Sequence, residues 1–168
     1  MKPHPAPGAA ELAARRTRVI ALGQRFAGDD GVGLVVLEAL REALRGARLP
    51  ESVELLAAPD ASRLVELVQF DGEVVIVDAL LADPPGRVLL LDEPALARLG
   101  PGRLSSHGLG VAQAIGLARA LAPALIARRF QLVGVTIAPP RRGESSLSDE
   151  VARALPEAVA RVRTLIGA

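Results

Sequence analysis

The chain has no cysteine, no tryptophan and no tyrosine, and only three phenylalanines, one methionine and a single lysine among its 20 basic residues. The missing cysteines exclude disulfides, thiolate metal sites and cysteine nucleophiles, and leave a reducing compartment permitted. The scarcity of aromatics means that a core must be assembled from Leu, Val, Ile and Ala. No apolar run reaches the length of a membrane span. Residues 1–16 lack the continuous apolar stretch of a signal peptide, so a soluble, cytoplasmic protein is expected. The net charge of +1, with acids and bases interspersed, gives no reason to expect a nucleic-acid or membrane partner. The preference for Arg over Lys accompanies high Ala, Gly and Pro and reads as a compositional bias.

What is present is enough apolar residue for one real core: half of 168 residues, about the size of one domain. Residues 1–8 contain three prolines and predict a flexible tail, extending to residue 16, with a single domain over residues 17–168. Short apolar runs at 19–22, 53–57, 74–79, 87–91 and 130–137 predict strands. Helical periodicity over 31–44, 61–70, 94–99, 105–122 and 148–166 predicts helices, the last interrupted by Pro156. Strands and helices alternate, with one strand-to-strand step in the middle. That order predicts an α/β fold: a twisted, mostly parallel sheet of about five strands with helices on both faces.

In such sheets ligands bind beyond the carboxyl ends of the strands. Three features fall there. Asp29 and Asp30 follow the first strand inside a loop containing Gly23, Gly28, Gly31 and Gly33. Asp78 ends the apolar run VVIVDA. His107 lies at the expected start of the 105–122 helix, where Ser105 or Ser106 would cap it. Carboxylates with one imidazole suit a divalent metal such as Zn, Ni, Mn or Fe, with positions left for water or substrate. Each residue also has an ordinary structural reading. Asp29 or Asp30 can cap a helix, Asp78 can order a loop, and His107 can simply face solvent. Several other chemistries fail on the string. The first loop lacks the Gly-Lys-Ser/Thr of a P-loop and the third glycine of GxGxxG, and HExxH and GxSxG motifs are absent.

Together the motifs resemble those of the hydrogenase maturation proteases. LGQRFAGDDGVGLVVLEAL is similar to the family's GNxLxxDDGxG signature, VVIVDAL follows at the family's spacing, and SSHGLGVAQAIGLA is similar to its S-x-H-x-L-G-L segment. LVGVTIAPP and LSDEVARALPEAVARV add weaker likeness, so that the resemblance spans nearly the whole chain. It implies an endopeptidase that removes the C-terminal extension of a nickel-loaded hydrogenase large-subunit precursor. It further implies that Asp30, Asp78 and His107 are both the metal ligands and the catalytic groups. The divalent metal would be the nickel carried by the substrate, with no organic cofactor. The partner would be the precursor, and the protein a monomer. Gln24 stands where the family has Asn, and is expected with Asp29 to order the loop or touch substrate. After the second strand the family's acid and Gly-Gly-Thr-like turn are replaced by residues 57–60, Ala-Ala-Pro-Asp, where Asp60 stands in for the lost acid. That change keeps open an alternative, a non-catalytic metal- or precursor-binding module on the same fold. A nucleotide-binding reading of the glycine loop is opposed by its two acids.

Overall fold

The computed structural model describes residues 16–45, 51–98, 110–140 and 143–168. The proline-bearing tail, the two serines at 105 and 106, and His107 therefore lie outside the described residues.

Five strands form one sheet: β1 (Thr17–Leu22), β2 (Val53–Ala58), β3 (Glu73–Leu81), β4 (Val88–Asp92) and β5 (Arg129–Ile137). They lie in the order β2-β1-β3-β5-β4. The first three and β5 are parallel, and β4 closes one edge antiparallel to β5. The helices are α1 (Val32–Ala43), α2 (Leu64–Leu67), α3 (Glu93–Arg98), α4 (Val111–Leu121) and α5 (Asp149–Ile166). The strands buried on both faces are apolar at nearly every position, as central parallel strands must be. Their period of two sorts the side chains between two cores. Val19, Ala21, Val75, Val77, Val133 and Val135 face α1 and α5. Ile20, Leu22, Val74, Ile76, Phe130 and Leu132 face α2, α3 and α4.

Three helices differ from expectation. Residues 61–70 do not form one long helix. A 3₁₀ turn (Ala61–Arg63) leads into the four-residue α2, and Gln69 bridges Ile126 instead. Arg18 explains the early stop, because its guanidinium takes the carbonyl of Leu67 at 2.8 Å, pairs with Glu54 and stacks on the Phe70 ring. The helix expected from residue 105 begins at Val111: Gly110 is extended, and its N–H donates to the Gln113 side chain at 2.9 Å. A glycine in extended backbone with a glutamine reaching back marks a start that two serines upstream disguise. On α1 the buried stripe is Val32, Val36, Leu37 and Leu40, and Val35, which helical periodicity sets beside Val32 and Val36, is only half-buried.

The topology opens a crevice between β1 and β3. The chain leaves β1 toward β2 on one side and returns to β3 on the other, so crossovers of one hand carry α1 and α2 to opposite faces. The last β1–β3 pair is Ala21 with Val77, whereas β3 continues beside β5 to Leu81. Asp78 is thus the first residue of β3 past the reach of β1.

Gly33 seats α1 against this crevice. A Cβ there would lie 2.3 Å from the carbonyl oxygen of Leu22 and 2.7 Å from that of Val77. Both obstacles are backbone, one on each strand, so neither can rotate away. Gly33→Ala is expected to lift the start of α1 off the sheet and to destabilise the fold by about 1–3 kcal/mol, read as a lower urea midpoint at unchanged slope.

Candidate active site at the carboxyl edge of the sheet

The loop after β1 folds back on itself. Gly23, at φ 132°, donates its N–H to Ala58 at 3.2 Å, and a Cβ there would meet the carbonyl oxygen of Asp30 at 2.8 Å. The chain then passes Phe26, a bulky residue in the left-handed region at φ 61° and 81% exposed. That conformation costs roughly 1–2 kcal/mol for a residue with a Cβ. A 3₁₀ turn, Gly28–Gly31, presents the two acids and runs directly into α1.

Neither acid caps its own helix. The residues at the cap positions of the turn and of α1 are Ala27 and Gly31, and neither receives a side-chain cap bond. The helix-capping role expected of Asp29 is therefore corrected: its carboxylate crosses to the other end of the chain. One oxygen accepts the Ser148 N–H at 2.7 Å and the other the Ser148 hydroxyl at 2.8 Å, between residues 119 apart in sequence. Ser148 is the N-cap of α5, its Oγ accepting from the N–H of Val151 at 3.4 Å. An acid beside the positive end of an 18-residue helix is favoured by the dipole, and hydrogen bonds to a charged acceptor contribute about 1.5–3 kcal/mol. Ser148 as a cap is visible in the sequence. Its partner is not, because no local pattern links positions so far apart.

Asp30 turns inward and is 8% exposed. It lies close enough to Asp78 for its charge to act on that carboxyl, whose pKa is pushed up to about 7. Burial is the largest cause, the Asp30 charge adds to it, and the hydrogen bond from the Ala79 N–H to Asp78 Oδ1, at 2.8 Å, works against both. Two carboxylates whose charges act on each other, with Asp30 buried and Asp78 desolvated, are a poor place for two negative charges and a good one for a cation. An incoming cation displaces the proton and supplies the missing counter-charge, so the pair fits the oxygen part of a divalent metal site. Among the described residues no group of three or more His, Cys, Asp or Glu gathers into a metal cluster. His107, which would be the third donor, is not among them.

The remaining candidates are arranged around this pair. Asp60 caps the 3₁₀ turn after β2. Its Oδ1 accepts the Ser62 N–H at 2.8 Å and also the Ser62 hydroxyl. The carboxylate that raises Asp78 is that of Asp30; Asp60 is not among the causes. Gln24 is exposed and lines a groove of about 240 Å³ together with Phe26, Leu34, Val35 and Leu147. Gly28 and Gly31 of the acidic turn also border this groove, but neither Asp30 nor Asp78 lines it. The sequence carries no signal for this groove, because the exposure of Phe26 is visible only in the structure.

Asp78 makes stability depend on pH. Its folded pKa of about 7 lies above the ordinary 3.8, so between these values the folded chain holds more protons than the unfolded one. Stability contributed by protonated Asp78 is complete below the lower value and lost as pH rises through the upper. Asp78→Asn is expected to melt higher than the parent at pH 8, with the gap closing toward pH 4, in calorimetric scans without added metal.

The fold and its edge have counterparts among known proteins. The family model described as "Hydrogenase maturation protease" matches residues 36–164. Protein FrxA of Pyrococcus furiosus is 32% identical over 140 residues, covering 83% of this chain and 96% of that protein. The hydrogenase maturating endopeptidase HybD of E. coli superposes with a TM-score of 0.71 at 24% identity, covering 90% of this chain and 91% of that one. The [NiFe] hydrogenase maturation protease HybD of Thermococcus kodakarensis superposes with a TM-score of 0.69 at 25% identity, covering 90% and 99%. With most of its length matched by the family model and by a relative of this similarity, the chain belongs to the hydrogenase maturation protease family.

Proposed function

We propose that this endopeptidase removes the C-terminal extension of a nickel-loaded hydrogenase large-subunit precursor, and that Asp30, Asp78 and His107 recognise the nickel. The observation that carries the reading is the Asp30–Asp78 pair, a cation-seeking site at the crevice between β1 and β3. The family supplies the reaction class, and the donor types supply the selectivity. Two carboxylate oxygens with one imidazole nitrogen suit a borderline divalent ion that already carries ligands from its own protein.

The nickel belongs to the substrate and polarises the scissile carbonyl or a nearby water. The chain's own contribution is to hold that ion and to manage a proton. Asp78, whose pKa is raised to about 7 by burial when no metal is present, gives up its proton to water as the nickel arrives. Asp30, buried at the same crevice, is the base candidate. The chain has no cysteine and no GxSxG elbow to supply a nucleophile, so the attacking group in this reading is an activated water. Gln24 and the adjoining groove contact the polypeptide around the nickel, while Asp29 and Asp60 order the loops on which the site stands.

Purified protein incubated with nickel-loaded and nickel-free precursor tests this. Shortening of the nickel-loaded form alone is expected. Asp30→Asn and His107→Ala should each lower the rate by about 10–100-fold or more. Either variant trimming at the parental rate overturns the site assignment. Binding of the precursor without shortening overturns the activity and leaves a binding module.

A further inference from the structure

Resting on the reading that Asp30 and Asp78 meet the substrate's nickel, we infer that Ser148 is a positioning residue for that pair: through Asp29 it fixes the direction in which Asp30 points. Asp29 and Asp30 are neighbours on a 3₁₀ turn. At three residues per turn, successive side chains leave the axis about 120° apart. One therefore reaches outward to α5 while the other enters the crevice. Any rotation of the turn that moves one moves the other.

The turn is packed backbone to backbone on its inner side, where a Cβ on Gly31 would lie 2.7 Å from the Gln24 carbonyl oxygen and one on Gly23 2.8 Å from that of Asp30. No side-chain bond caps the turn itself, so on its outer side the fastening falls to Asp29. The fastening to Ser148 is made at two points, the backbone N–H on one carboxylate oxygen and the hydroxyl on the other. Two points set the orientation of a carboxylate, whereas one sets only its distance. The support behind it is rigid: α5 buries Val151, Ala154, Ala158, Val162 and Ile166 against the sheet. A second contact runs alongside, because a Cβ on Gly28 would lie 3.2 Å from the Glu144 Cβ and 3.3 Å from its carbonyl oxygen. The segment leading into α5 thus braces the acidic turn at two places. A partner behind a metal-facing group commonly changes affinity or activity by about 10–100-fold.

The test uses the full chain and nickel-loaded precursor, with kcat, KM and melting temperature measured together. Ser148→Gly removes the hydroxyl but keeps an accepted N-cap residue and the backbone donor. Ser148→Thr keeps the hydroxyl. Asp29→Ala removes both bonds. Asp29→Ala is expected to lower kcat about 10–100-fold and Ser148→Gly about tenfold, without a matching fall in melting temperature. Ser148→Thr should retain most of the rate. The double variant Asp29→Ala with Ser148→Gly should be no slower than Asp29→Ala alone, since both changes break one unit. Parental kcat in Ser148→Gly, or a double variant as slow as the product of the singles, overturns the inference. If the parent protein itself does not shorten the precursor, the proposed function falls. Crystal structures of the parent and of Asp29→Ala then decide this point separately. Asp30 displaced from Asp78 in the variant supports the positioning role, and Asp30 unmoved overturns it.

Discussion

Two carboxylates held together away from bulk water are unfavourable, and the carboxyl edge of this sheet is built to hold them there. Asp78 is carried into the crevice by a strand that cannot move, since β3 is paired on both sides and buried on both faces. Asp30 is brought to it by a helix start that Gly33 allows within contact distance of two strand backbones. The strain appears in the raised pKa of Asp78. A structure that only needed to fold would place an apolar residue at one of these positions. Keeping both acids makes the edge a receptor for positive charge, and the rest of the loop maintains their spacing.

The architecture was legible because it depends on simple periodicities. Strands buried on both faces must be apolar throughout, so 19–22, 74–79 and 130–137 stood out against everything around them. The α/β order places their carboxyl ends together, which draws Asp29, Asp30, Asp78 and His107 to one edge, and only the family resemblance prefers Asp30 to Asp29. Boundaries were harder where a side chain from elsewhere intervened. Arg18 takes the Leu67 carbonyl and so stops a helix whose own residues would continue it. Gly110 sets the start of α4, extended and with its N–H held by the returning Gln113 side chain.

The division of labour between the two adjacent acids was legible only in part. Sequence shows one carboxylate too many for a helix start, but not which is spare. Their difference comes from the 3₁₀ geometry, which sends them in different directions, and from Ser148, which waits for one of them more than a hundred residues away. Nor does Asp60 reveal in sequence that its carboxylate is engaged by Ser62. Long-range polar partnerships have no period, and so leave no trace in a single chain read from end to end.

The link between Asp29 and Ser148 also bears on the order in which the molecule comes into being. The acids and β3 leave the ribosome before β5, which lies between β3 and the edge strand β4, and before the cap of α5. Contacts between distant positions form late, because the intervening chain must first be closed into a loop. During synthesis the acidic turn therefore exists for a time without its anchor. A peptidase whose acidic turn is fastened by the start of α5 remains unassembled until that helix has formed.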